Sequence, residues 1–102
     1  MLGKNAGEMN LPNTSQTYID DRAVISESAI VLPGSAVGAA AVGAGTRIES
    51  SVIGDGVLIE KEVAIKESII GDGVVIHEGA QISGAFLGGA GVVIKANSRH
   101  FG

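Results

Sequence analysis

A period of seventeen residues runs through most of this chain and constrains its fold more than any single motif. Cut at that interval, residues 15–31, 32–48, 49–65, 66–82 and 83–99 read SQTYIDDRAVISESAIV, LPGSAVGAAAVGAGTRI, ESSVIGDGVLIEKEVAI, KESIIGDGVVIHEGAQI and SGAFLGGAGVVIKANSR. Down the columns Ile19, Ala36, Ile53, Ile70 and Leu87 align, as do Ile25, Val42, Ile59, Ile76 and Val93, and then Val31, Ile48, Ile65 and Ile82. Each segment thus carries three aliphatic marks at spacings of six, six and five, with a further apolar residue four positions after each mark, at Val57, Val63 and Ile69. These are the expected inward positions. Gly91-Val92-Val93-Ile94 echoes Gly73-Val74-Val75-Ile76 at a spacing of eighteen, which suggests one extra residue near Gly88-Gly89-Ala90; if the last coil slips by one, Val93 replaces Val92 in the outward column.

A helix does not satisfy this pattern. Gly costs about 1 kcal/mol per helical site, and the apolar spacing never settles to three and four. The chain holds sixteen Gly and is 45% apolar but only 3% aromatic, so its core is built from small and β-branched side chains. Three short strands per segment, separated by corners such as Gly54-Asp55-Gly56 and Gly71-Asp72-Gly73, make one turn of a triangular coil. Successive turns then pair as parallel strands about 4.8 Å apart, and five of them stack to roughly 24 Å. The expected fold class is all-β, a parallel β-helix of about five triangular coils of seventeen residues.

The I-G-D-G-V-x-I units resemble the hexapeptide-repeat left-handed parallel β-helix over residues 15–99, and the left hand is what that resemblance implies. The coils E-S-S-V-I-G-D-G-V and K-E-S-I-I-G-D-G-V, with Ser before the aliphatic pair and a five-residue third side, resemble the C-terminal β-helix of sugar-phosphate nucleotidyltransferases, the NDP-sugar pyrophosphorylases. The resemblance implies a non-catalytic domain serving oligomer assembly and, in some members, regulation. It also implies an upstream catalytic domain as partner, Rossmann-like with a Gly-rich nucleotide loop. Nothing in Met1 to Thr14 matches such a loop, so the chain is expected to be a detached C-terminal domain or a free-standing relative.

The outward columns are ladders of neighbours one strand apart. Lys61, Glu78 and Lys95 stack at the strict period, Glu49 lies beside Lys66, and Glu60 beside His77. Each exposed pair contributes about 0 to 1 kcal/mol, selecting register more than stabilising it. Asp21, Asp55 and Asp72 share a column that could meet a hard cation, against the simpler reading of Asp-Gly corner chemistry. Val24, Ala41, Leu58, Val75 and Val92 occupy an outward position and are apolar in every coil. The second face, Ile30, Arg47, Ala64, Gln81 and Ser98, turns polar, and the third shows Glu49, Ser50, Ser51 and Lys66, Glu67, Ser68. A single apolar face is therefore expected, marking a contact with another subunit, in a homo-oligomer that is a dimer or trimer, or with an absent domain. The competing reading has Leu2, Met9 and Leu11 of the tail cover it.

Residues 1–14 read as a tail or linker, 15–99 as the β-helix, and 100–102 as a C-terminal tail. Tyr18 is expected to close the first coil. The chain is expected to leave the coil at Arg99, where an aliphatic was due, with Phe101 over the end.

Other function classes are narrowed by composition. There is no Cys, hence no disulfide framework, thiolate chemistry or Cys-ligated zinc, and the expected setting is cytoplasmic. Net charge is −4 with seven scattered Lys and Arg, so neither nucleic acid nor a membrane is an expected partner. His77 and His100 are the only histidines, short of the three that carbonic-anhydrase-like members of this fold use per zinc. No catalytic, cofactor-binding or metal site is assigned. Two alternatives remain: a small hexapeptide-repeat acyltransferase with an intersubunit site and His77 as base, and a scaffold polymerising end to end through open coils.

Overall fold

In the computed structural model, residues 17–102 are described, and they form fifteen short strands with no helix among them. The tail 1–14, with Leu2, Met9, Leu11 and the approach to the first coil, lies outside the described residues. The strands make three parallel five-stranded sheets, each taking every third strand in chain order, so the chain winds as a triangular prism of five coils. On the first face lie Tyr18–Ile19, Ala36–Val37, Val52–Ile53, Ile69–Ile70 and Phe86–Leu87. The second holds Val24–Ile25, Ala41–Val42, Leu58–Ile59, Val75–Ile76 and Val93–Ile94, and the third Ile30–Val31, Arg47–Glu49, Ala64–Lys66, Gln81–Ser83 and Arg99–Phe101.

The core is a column of isoleucines. Ile48, Ile53, Ile59, Ile65, Ile70, Ile76 and Ile82 are fully buried with Val37 of the first face, and Val57, Val63 and Val74 fill the corners. A triangular interior three short strands wide has no space for aromatics, and β-branched side chains suit both the strands and the spacing between coils.

The I-G-D-G unit has a mechanical reason at the corner between the first and second faces. Asp72 Oδ1 accepts the Asp55 N–H at 2.9 Å, and Asp55 Oδ1 accepts the Ala39 N–H at 2.8 Å, so each carboxylate ties its corner to the coil before. A Cβ at Gly54 would collide with the Asp72 carboxylate, and one at Gly38 with that of Asp55. The second glycine turns the chain at positive φ, 71° at Gly56 and 77° at Gly73. Both features fit the corner-chemistry reading of the Asp column.

Four inward assignments differ from the expectation, each because a corner changes length. On the first face Val37, not Ala36, is inward: Tyr18 pairs with Ala36 and Ile19 with Val37. The corner Leu32–Ser35 has four residues where Glu49–Ser51 has three, and Gly38–Ala40 has three where Gly54–Val57 has four. The two changes cancel within one coil, so the count of seventeen survives on the other faces while the first slips. At the third corner the inward residue is buried Ser68, three positions after Ile65, and Ile69 points out, 48% exposed. In the last coil Val93 pairs with Val75, so Val93 takes the outward place expected of Val92, which packs against the core. The chain also stays in register past Arg99: Arg99 pairs with Gln81, His100 with Ile82 and Phe101 with Ser83, although His100, at the open end of the prism, is exposed. Tyr18 does not close the first coil; it projects from the first face, 72% exposed.

Candidate functional site

Outward positions on two adjacent faces form apolar stripes running the length of the prism. On the second face the stripe is Val24, Ala41, Leu58, Val75 and Val93, with Val24 70%, Leu58 44% and Val93 54% exposed. The one-residue slip on the first face builds another stripe, Tyr18, Ala36, Val52, Ile69 and Phe86, whose aromatic ends stand well out of the surface. The expectation of a single apolar face is thus corrected to two. Strict counting already aligns Tyr18, Val52, Ile69 and Phe86, with Ser35 in place of Ala36; that this column faces out is what the structure adds. The third face is mixed, running Ile30, Arg47, Ala64, Gln81 and Arg99.

Polar side chains border the second-face stripe. His77 Nδ1 lies 3.2 Å from Glu60 Oε2, as the ladder predicts, and Lys95 takes the corresponding place in the next coil. His77 and the Glu78 N–H, which Glu60 Oε1 accepts at 3.0 Å, hold the Glu60 carboxyl below its ordinary pKa. The expected ladder of Lys61, Glu78 and Lys95 does not form, because the extra residue in the last coil puts Lys95 beside His77 instead. On the third face Glu49 and Lys66 are register partners, yet Glu49 pairs with Arg47 at 3.9 Å. In the first coil Asp20 is bound by the Arg22 side chain at 3.1 Å and accepts the Arg22 N–H at 2.8 Å, which keeps its carboxyl below the usual range.

His77 and His100 are not brought together: His77 follows a second-face strand in the fourth coil, and His100 lies in the last third-face strand. Among the described residues no group of three or more His, Cys, Asp and Glu is arranged to hold a metal ion. Nor is any helix among them long and apolar enough to cross a membrane.

The buried hydroxyls of this prism are absent from the sequence reading. Ser35 Oγ accepts the Ser51 N–H at 3.2 Å, Ser51 Oγ the Ser68 N–H at 3.0 Å, and Ser68 Oγ the Ala85 N–H at 3.0 Å. Ser51 and Ser68 donate in turn to the carbonyls of Glu49 and Lys66, each at 2.8 Å. Thr46 does the same at another corner, donating to the Glu60 carbonyl at 2.8 Å and accepting the Val63 N–H at 3.2 Å. The Ser before each aliphatic pair was the available signal: it occupies an inward position that an aliphatic would otherwise fill.

A family model described as the GMPPB C-terminal domain matches residues 13–99, which takes in the whole repeat. The chain belongs to that family. As a GMPPB C-terminal domain it is a nucleotidyltransferase-related β-helix, in agreement with the Ser-bearing coils. Three solved structures are similar to it at 18% identity. One is the CcmM N-terminal domain in complex with CcmN, with 86% of this GMPPB-type chain and 99% of that one covered and a TM-score of 0.46. Another is a mutant perosamine N-acetyltransferase from Caulobacter crescentus in complex with CoA and GDP-perosamine, at 87% and 54% coverage and a TM-score of 0.48. The third is a putative acetyltransferase from Bacillus cereus, at 86% and 76% coverage and a TM-score of 0.33. A search of the curated proteins gives no match.

Proposed function

We propose that this GMPPB-type domain is a non-catalytic assembly module which holds the catalytic domains of a sugar-phosphate nucleotidyltransferase in an oligomer through its second face. The observation that carries the reading is the outward column Val24, Ala41, Leu58, Val75 and Val93, apolar in all five coils, with Val24, Leu58 and Val93 exposed and Ala41 and Val75 half-buried. Contiguous exposed apolar area usually marks a surface that a partner covers. A homo-oligomer, dimer or trimer, follows from one copy presenting the same stripe to another. The cytoplasmic setting belongs to the same proposal and is supported by the absence of Cys.

The first-face stripe supports a second contact. Tyr18 opens it near the N-terminal end of the described residues, so an upstream catalytic domain joined there would meet this stripe first. Light-scattering mass measurement after gel filtration tests the reading. The parent chain is expected as a dimer or trimer, and Leu58→Asp as a monomer with an unchanged far-UV spectrum. A monomeric parent would overturn self-assembly through the second face.

A further inference from the structure

The third face carries long and short side chains in alternation, and that alternation leaves a hollow. Along the stack, one outward column reads Arg47, Ala64, Gln81, and the column two residues on reads Glu49, Lys66, Ser83, with Phe101 beside Ser83 in the last coil. Ala64 stops at its Cβ between two long neighbours, and Ser83 is short between Lys66 and Phe101. The space above them, floored by the strand at Ile65 and Ile82, is a cavity of about 250 Å³.

Its lining is apolar at the bottom and cationic at the rim. Phe101 is 66% exposed and forms one wall, facing across Ser83 to the Lys66 side of the hollow. Glu49 lies 3.9 Å from Arg47 and partly offsets its charge, whereas Lys66 makes no ion pair among the described residues. Gln81 adds an amide that can donate or accept. The lining holds two cations, Arg47 and Lys66, against one carboxylate, Glu49, a balance complementary to an anion, and the Ala64 methyl and Phe101 ring are complementary to a flat apolar body. The volume is small beside pockets of roughly 300–1,000 Å³ that enclose drug-sized ligands, so the fit is to one or two rings.

We propose that this hollow is a binding site for a small aromatic anion, the ring lying between Ala64 and Phe101 and its carboxylate or phosphate on Lys66. Such a ligand is either an aryl carboxylate or a nucleoside monophosphate, which share a flat ring and an anionic group. The site is on the face that carries neither apolar stripe, so it stands or falls apart from the assembly reading.

The test is a titration of the full chain with 2-naphthoate and, separately, with AMP, followed by ¹H–¹⁵N NMR. Saturating shifts are expected at the amides of Lys66, Gln81, Ile82 and Ser83 with at least one probe; which probe binds identifies the aryl acid or the nucleotide as the class. Lys66→Gln removes the rim charge and Ala64→Leu fills the hollow, both at exposed positions, and each is expected to weaken binding about tenfold with spectral dispersion kept. Absence of saturating shifts at these amides with both probes would overturn the proposal. So would equal affinity in parent, Lys66→Gln and Ala64→Leu.

Discussion

Asp72 Oδ1 accepts the Asp55 N–H at 2.9 Å across two coils, and the glycine just before Asp55 is what lets the carboxylate in. Asp72→Ala is expected to lower stability by about 1 kcal/mol, the usual net value of one such hydrogen bond, while Asp72→Asn keeps most of it through the amide oxygen. Gly54→Ala places a methyl against that carboxylate and is expected to be the more damaging change. Urea midpoints of the three variants rank them; equal midpoints for Gly54→Ala and parent would show that the corner is loose.

Burial of hydroxyls gives a second expectation. Ser68→Ala leaves the Ala85 N–H without its partner at a buried corner, at a cost of about 1–3 kcal/mol. Chemical denaturation with an unchanged m-value is the expected readout. An increase in stability would mean that water or a shifted corner satisfies the amide.

Neighbouring residues on one strand are expected to behave oppositely. Ile59→Asp or Ile76→Asp buries an unpaired charge in the isoleucine column and is expected to abolish the cooperative melt. Leu58→Asp and Ile69→Asp, each next to a buried isoleucine, keep the far-UV spectrum because their side chains face out. Ile69 is the sharper case, since strict counting places it inside; unfolding by Ile69→Asp would restore that register.

Most of the fold was legible because the period is a property of the backbone: coils stacked one strand apart must repeat their inward residues at fixed intervals. Ile53, Ile59, Ile65 and their equivalents in the next coil are found by counting alone. What counting cannot see is a pair of compensating changes. Pro33-Gly34 lengthens one corner and Gly38–Ala40 shortens the next, so Ala36 and Val37 exchange roles while the total stays at seventeen. Since Ala36 and Val37 are both apolar, hydropathy does not choose between them. Tyr18, Val52, Ile69 and Phe86 share one column at the strict period, with Ser35 where the structure places Ala36; the exchange changes only that second-coil member, and counting did not show that the column faces out. Val92 and Val93 were ambiguous for the same reason, although the eighteen-residue echo of Gly73-Val74-Val75-Ile76 pointed to the slip.

The Glu60–His77 pair makes a pH-dependent prediction. Glu60 has a folded pKa below its unfolded one, so its contribution is present above the unfolded value and is lost as pH falls through the folded value. Glu60→Gln is therefore expected to be less stable than the parent near pH 6, with the gap closing as the pH is taken below the ordinary carboxylate range. A gap that persists at the lowest pH would assign the effect to the Glu78 N–H bond or to packing, not to charge. The same pair bears on the acyltransferase alternative: acetyl-CoA binding that is lost in His77→Ala would favour it, and no binding to the parent chain is the result expected here.

Sedimentation equilibrium at several concentrations, on the parent chain, Leu58→Asp and Val52→Asp, tests the assembly claim most directly. A dimer or trimer that Leu58→Asp reduces to monomers while Val52→Asp leaves it intact is the predicted result. A parent that stays monomeric, or an oligomer broken by Val52→Asp and untouched by Leu58→Asp, would contradict it.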